Sequence, residues 1–118
     1  MNLIELFSHE TELKPLAAGQ ALFREGEPGD LMYVLMSGTA EIRVKNKVVE
    51  YAREGAIVGE MGMIDEGTRS ATVMAKSDCK FFPVDRDRFD HHVLHTPGFA
   101  QHVMQVIADR LRRADARM

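Results

Sequence analysis

The feature that most constrains this chain is a series of short β-forming runs separated by glycine-containing turns. These runs fill most of the stretch between residues 16 and 85. The predicted strands are residues 21–24, 31–36, 39–44, 47–52, 71–76 and 79–84. The turn signals are Gly19, Gly26, Pro28-Gly29, Ser37-Gly38, Lys45-Asn46, Gly55 and Gly67. Short strands at regular spacing with such turns predict an antiparallel β-roll (jelly roll) or barrel.

Two of the predicted strands indicate what lies on each face of the sheet. In residues 39–45 apolar and charged side chains alternate, as in a strand with one buried face and one face in water. The alternating residues are Ala40, Ile42 and Val44 on one side and Glu41, Arg43 and Lys45 on the other. Residues 31–36 are instead apolar on both faces. They pack either between the core and a second structural layer or beside an enclosed ligand cavity.

Helical periodicity appears at the two ends of the chain. Residues 2–9 have apolar side chains at helical spacing behind Asn2, a residue type that caps helix N-termini. Residues 86–95 form a second predicted helix, stopped by Pro97-Gly98, and residues 99–113 form a third, longer one. The apolar stripe of the third helix is Phe99, Val103, Val106, Ile107 and Leu111. The predicted fold is mainly β with flanking helices (α+β): a short N-terminal helix and two C-terminal helices around the roll.

Length and charge limit the functions open to such a fold. With 118 residues the chain is predicted to be one domain, residues 1–118. Its net charge of −3 gives no general attraction for nucleic acid. The sequence shows neither a secretory signal nor a membrane-spanning run, so we expect no membrane insertion. The single cysteine, Cys79, excludes an internal disulfide and fits a reducing compartment, so a cytoplasmic location is expected.

A basic cluster near the C-terminus is the exception to this acidic balance. Its members are Arg110, Arg112, Arg113 and Arg117, at the end of the third predicted helix. Cations at this position complement the negative end of the helix dipole and are readily solvated. They also suit contact with a bound anion, and the sequence leaves both interpretations open.

One segment carries the residue types of a phosphate and sugar site. Gly59-Glu60-Met61-Gly62 is followed by Arg69-Ser70-Ala71. The glycines let the backbone approach a ligand closely, and a short helical turn near Glu60 would offer N–H groups to an anion. Arg69 supplies a fork of donors suited to phosphate, and Ser70 supplies a hydroxyl. Glu60 fits beside an anion if it accepts a hydrogen bond from a sugar hydroxyl, which predicts a ligand with both phosphate and ribose.

These motifs resemble the phosphate-binding cassette of cyclic nucleotide-binding domains of the catabolite-activator-like type. The similar segments are residues 59–63, with nine residues from Glu60 to Arg69, and residues 69–71. Residues 18–30 and Tyr33-Val34-Leu35-x-x-Gly38 resemble the first strands of the same β-roll. The resemblance covers nearly the whole chain. It implies a sensor whose ligand is cyclic AMP, with cyclic GMP as the alternative, and which needs no cofactor and no metal.

The resemblance also implies a role for individual residues. Glu60 would accept from the ribose 2′-OH, and Arg69 would pair with an equatorial phosphate oxygen. The remaining implied site residues are Gly59, Met61 and Gly62 in the cassette, Ser70 and the Ala71 N–H at the phosphate, Val49 and Ile57 at the base and ribose, and Arg110 from the C-terminal helix. Binding would contract the cassette and draw the C-terminal helix over the pocket as a lid.

The same resemblance shapes the expected partners. An effector protein is implied, although its identity is open, as is a homodimer formed through the C-terminal helix. Ala114 and Asp115 stand where the catabolite activator has hydroxyl residues against adenine, so that contact is not carried over. Because the chain ends at Met118, without length for a following helix-turn-helix, we expect no DNA binding.

Rival interpretations come from other functional classes. A metal-dependent cupin enzyme needs strand histidines, and no histidine occurs between Glu10 and Asp90. His91, His92 and His95 include an i, i+4 pair, but no carboxylate completes a metal motif. Neither Cys79 nor Ser70 lies in a nucleophile pattern, so we expect no enzyme. A structural or protein-interaction β-roll with a vestigial cassette remains the alternative to a sensor.

Overall fold

A computed structural model describes residues 1–65 and 67–118 of the chain. Within these residues the chain forms eight strands and four helices. The strands are β1 Lys14–Leu16, β2 Ala21–Phe23, β3 Met32–Ser37, β4 Ala40–Val44, β5 Lys47–Ala52, β6 Ile57–Val58, β7 Thr72–Ala75 and β8 Cys79–Val84. The helices are α1 Leu3–Leu6, α2 Met61–Ile64, α3 Arg86–His95 and α4 Phe99–Ala116. The predicted antiparallel β-roll with flanking helices is confirmed.

The strands form two four-stranded antiparallel sheets. One sheet has the order β1-β8-β3-β6, and the other has the order β2-β7-β4-β5. The hairpin between β4 and β5 turns at Lys45 and Asn46, which both have positive φ, as a tight turn between antiparallel strands requires. In both sheets, strands that are distant in sequence lie side by side. Strand β7 begins directly after the predicted cassette.

Strand β3 separates two apolar cores. Tyr33 and Leu35 face the core between the two sheets, while Met32 and Val34 face a second core beneath the helices. The second core also contains Phe7, directly after α1, Phe89 of α3 and Phe99 of α4. The apolar character of both faces of residues 31–36 thus reflects two packed layers, which settles one alternative left open by the sequence.

The predicted helix ends agree with the capping groups. The Asn2 side chain accepts from the Glu5 N–H at 3.1 Å, and the Asp85 side chain accepts from the Arg88 N–H at 2.8 Å. Helix α3 has the predicted bounds. Helix α1 is shorter than predicted, because the following Ser8 and His9 are exposed and a longer helix would bury no further apolar surface.

The prediction missed two short strands, β1 and β6. Strand β1 contains Pro15 and forms the edge of its sheet, where a residue without an N–H is tolerated. Strand β6 has only two residues, too few to show alternation. Helix α4 continues to Ala116, beyond the predicted residue 113.

Candidate functional site

A cavity of 190 Å³ lies between the β2-β7-β4-β5 sheet, the cassette around α2, and α4. Most of the site residues predicted from the sequence lie together on its wall. These are Gly59, Glu60, Met61, Gly62, Arg69, Ser70, Ala71 and Arg110. The wall also includes apolar side chains from the roll, namely Phe23, Ile42, Val58 and Val73.

Arg69 is the central cation of this wall. The residue is only 8% exposed, and its guanidinium lies over the Phe23 ring at 4.1 Å from the centroid. Among the described residues, its Nε and Nη1 atoms have no hydrogen-bond partner. Burial lowers the pKa of Arg69, although an arginine stays protonated in proteins. A buried cation with two unpaired donors favours an anion that can accept from them.

Two backbone hydrogen bonds fix Arg69 in the chain. Its N–H donates to the Glu27 carbonyl at 2.7 Å, and its carbonyl accepts from the Gly26 N–H at 2.9 Å. The segment after α2 is therefore tied to the turn that follows β2. Ser70 and Ala71, which precede β7, line the same cavity as Arg69.

Three glycines make room for the Arg69 side chain. A Cβ at Gly59, whose φ is +74°, would lie 2.8 Å from Arg69 Nη1. A Cβ at Gly62 would lie 3.3 Å from the same atom. A Cβ at Gly29 would collide with Arg69 Nε and Cζ. Gly29 was predicted only as a turn residue, because no motif in the sequence links residue 29 to residue 69.

Helix α2 is a single turn that is held in place by contacts with the helical layer. Met63 is buried in the core under the helices, and Arg86 of α3 donates from Nη2 to the Met63 carbonyl at 2.7 Å. Glu60, immediately before α2, is 6% exposed. The cassette thus contacts both the cavity and the helical layer.

Arg110 of α4 connects the last helix to two carboxylates of the roll. Its Nη1 donates to Glu60 Oε1 at 2.7 Å, while Nε and Nη2 donate to Glu50 Oε1 and Oε2 at 3.1 and 3.0 Å. Burial lowers the pKa of Arg110, but the hydrogen bonds and charges of Glu50 and Glu60 outweigh burial, so the pKa is raised. Arg113 lies 3.2 Å from Glu50 Oε1. Glu50 was not predicted as a site residue, because nothing in the sequence distinguishes it from the exposed carboxylates.

The two residues predicted to line the base region differ in position. Val49 lies on a second cavity of 270 Å³, which shares Ile42, Ser70, Ala71 and Arg110 with the first. Ile57 lies in the core under the helices, and its neighbour Val58 lines the first cavity instead. The reason is the alternation of side chains along β6, which turns residue 57 away from the roll interior.

The other candidate chemistries gain no support. Within residues 1–65 and 67–118, no group of three metal-ligating side chains is placed to hold an ion. His92 Nδ1 is 2.7 Å from Thr96 Oγ1, and Cys79 Sγ is 3.3 Å from the Thr39 carbonyl oxygen. No helix in the described part of the chain has the length and apolarity to cross a membrane.

Comparison with known proteins connects this site to a family. The family model for the cyclic nucleotide-binding domain matches residues 13–95. A cGMP-dependent protein kinase of Eimeria tenella is 37% identical over 86 residues, which cover 73% of this chain and 8% of the kinase. A CRP-like cAMP-activated global transcriptional regulator of Mycobacterium tuberculosis is 26% identical over 102 residues, covering 82% of this chain and 46% of the regulator. This chain therefore spans less than half the length of either relative.

A solved structure adds a comparison of the fold. The cyclic nucleotide-binding domain from Methylobacillus flagellatus has a TM-score of 0.71 and 26% identity, with 88% of this chain and 64% of that chain covered. The β-roll and the cavity with its buried Arg69 define a candidate ligand-binding module. The chain belongs to the cyclic nucleotide-binding domain family, whose model matches more than half of its residues.

Proposed function

We propose that this domain is a sensor that binds cyclic AMP in the cavity beside Arg69. The phosphate would pair with Arg69 and accept from the Ser70 hydroxyl and the Ala71 N–H. The ribose 2′-OH would donate to Glu60. The domain would act by changing the position of α4 for an effector, without catalysing a reaction.

The observation that carries this proposal is the state of Arg69. Its guanidinium is buried at the cavity wall, and two of its donor atoms lack partners within the described residues. Stranding a buried cation in this way costs free energy unless a ligand compensates it. A singly charged cyclic phosphodiester with oxygens in reach of several donors matches the requirement.

Coupling to α4 is supported by the contacts of Arg110. The guanidinium reaches Glu60, the predicted ribose ligand, and thus joins the last helix to the binding site. A ligand shifts α4 only by its differential affinity for the two helix positions, and about 1–3 kcal/mol of coupling is typical. Hydrogen exchange should therefore slow in residues 99–113 when cyclic AMP saturates the site, and unchanged exchange would argue for a fixed helix.

A modest preference for cyclic AMP over cyclic GMP completes the proposal. Arg69-Ser70-Ala71 resembles the cyclic-AMP sensors, whereas guanine-preferring relatives often have threonine at the position of Ser70. The phosphate and ribose contacts are common to both nucleotides and would supply most of the affinity. About 1–2 kcal/mol would remain for a polar contact that differs between the bases.

Thermal unfolding with and without nucleotide tests binding against the rival of a vestigial cassette. A ligand at about 100 times its dissociation constant should stabilise the domain by roughly 2.7 kcal/mol. Adenosine at the same concentration is the control, because it keeps the base and the ribose but lacks the phosphate. A melting curve that no cyclic nucleotide displaces would support the structural β-roll instead.

A further inference from the structure

We infer that Glu50 sets the base preference by accepting a hydrogen bond from the 6-amino group of adenine. This inference rests on the proposed function. It concerns the second cavity, whose wall includes Val49, Glu50, Ala71, two arginines of α4 and Arg117 directly after that helix.

The position of the base follows from the way the two cavities join. They share Ser70 and Ala71, the predicted phosphate residues, and Arg110, which also contacts Glu60. A nucleotide held at both its phosphate and its ribose must direct its base past these shared residues. The second cavity is the space that lies beyond them, and Val49 and Ala71 give it apolar surface for a purine ring.

Among the described residues that line the second cavity, one carboxylate could meet a base. The Glu50 side chain is 18% exposed. Its Oε1 accepts from Arg110 Nε at 3.1 Å and lies 3.2 Å from Arg113 Nη1, while its Oε2 accepts from Arg110 Nη2 at 3.0 Å. A carboxylate has about four acceptor positions, so these three contacts leave room for one further donor at Oε2.

One remaining acceptor position discriminates between the purines at carbon 6. Adenine has an amino group there, whose two hydrogens can reach a carboxylate from either edge of the ring. Guanine has a carbonyl oxygen at the same place, which repels a carboxylate and leaves the acceptor unpaired. Guanine's donors at N1 and N2 can pair with a carboxylate together only at two free acceptor positions, and Arg110 and Arg113 leave one. The geometry therefore favours adenine.

The test is competition binding to the full chain with three nucleotides. These are cyclic AMP, cyclic GMP and purine riboside 3′,5′-cyclic monophosphate, which has hydrogen at carbon 6. We expect the wild type to bind the purine riboside analogue about tenfold more weakly than cyclic AMP. In Glu50→Ala this difference should shrink to within about threefold, and the ratio of cyclic AMP to cyclic GMP affinity should fall about tenfold.

Glu41→Ala is the matched control. Glu41 lies on the neighbouring strand β4, has a side-chain exposure of 16%, and contacts Arg43 at 2.6 Å, but lines neither cavity. Its affinity ratios should equal those of the wild type. If Glu50→Ala does not fold, Glu50→Gln should lower the cyclic AMP to cyclic GMP ratio in the same direction, because the amide N–H₂ can donate to the guanine oxygen.

The outcomes separate this inference from the proposed function. Equal weakening of all three nucleotides by Glu50→Ala would show that Glu50 only holds Arg110, and would overturn the inference alone. A wild-type preference for cyclic GMP would also overturn it while leaving a nucleotide site. Absence of binding by every nucleotide to the wild type would contradict the proposed function, and this inference with it.

Discussion

Arg110 Nη1 lies 2.7 Å from Glu60 Oε1, so the last helix is ion-paired to the cassette carboxylate across the cavity wall. The bond uses one oxygen of Glu60, and the rest of the guanidinium contacts Glu50. Two carboxylates of the roll therefore share one cation from α4. Under the proposed function, this contact would transmit occupancy of the cavity to α4.

Removing this shared cation should destabilise the domain. Arg110→Ala leaves the buried Glu60 without this partner and leaves Glu50 with Arg113, and we expect a loss of roughly 3 kcal/mol in the free energy of unfolding. Arg112→Ala is the control on the same helix, because the Arg112 side chain is 73% exposed and, within residues 1–65 and 67–118, pairs only with Asp109. Its effect should stay within about 0.5 kcal/mol. Urea denaturation measures both, and equal effects would contradict the account of Arg110.

Gly29→Ala tests whether the placement of Arg69 depends on glycine. The added methyl group would collide with the guanidinium, so we expect cyclic AMP affinity to fall at least about tenfold as Arg69 is displaced. Gly67→Ala alters the same cavity wall where a Cβ meets nothing within 4 Å. Calorimetry should show near wild-type affinity for Gly67→Ala. Wild-type affinity in Gly29→Ala would mean that Arg69 binds the ligand from another position.

The ribose contact makes a prediction that combines a variant with an analogue. Glu60→Gln should weaken cyclic AMP binding less than Arg69→Ala does, because the amide still accepts a hydrogen bond but carries no charge. 2′-Deoxy-cyclic AMP should bind the wild type more weakly than cyclic AMP, and the difference should be smaller in Glu60→Gln. If the deoxy analogue binds both proteins as tightly as cyclic AMP, Glu60 is a structural residue only.

His92 predicts how stability changes with pH. Burial, followed by the charges of His91 and Arg88, lowers the pKa of His92 below its usual 6.5. The unfolded chain therefore binds a proton more readily than the native domain, and the stability that His92 contributes above pH 6.5 is lost as the pH falls through and below that value. Urea denaturation at pH 7.5 and 5.5 should show a smaller loss for His92→Gln than for the wild type. Equal losses in His92→Gln and the wild type would contradict the assignment of this pH dependence to His92.

The sequence predicted most of the fold because its local signals agree with its packing. Alternation identified β4, and the helical period before the stop at Pro97-Gly98 identified α3. Strand β6 escaped because two residues have no period, and its partner strand β3 supplies the hydrogen bonds that define it. The resemblance alone predicted Ile57 at the cavity, and Val58 lies there instead.

The site divides in the same way between local and distant residues. Glu60, Arg69 and Ser70 are close in the chain, so their residue types and spacing could be interpreted together. Gly29 and Glu50 join them only through folding: one clears space for a guanidinium, and the other binds Arg110 of a helix 60 residues further along. The sequence around these two residues does not indicate these contacts. Packing between β2, β5 and α4 determines them.

Calorimetric titration of cyclic AMP into the wild type and Arg69→Ala is the most direct test of the proposed contact between the phosphate and Arg69. The wild type should bind one nucleotide per chain, whereas Arg69→Ala should bind at least about 100-fold more weakly, because the charge-assisted contact with the phosphate is lost. Its free energy of unfolding should stay within about 1 kcal/mol of the wild type or exceed it, since the variant removes a buried cation with two donor atoms that lack partners among the described residues. Arg88→Ala, which removes an arginine paired with Glu10 outside both cavities, should bind normally. Wild-type affinity in a folded Arg69→Ala protein would contradict the proposed binding of the phosphate by Arg69.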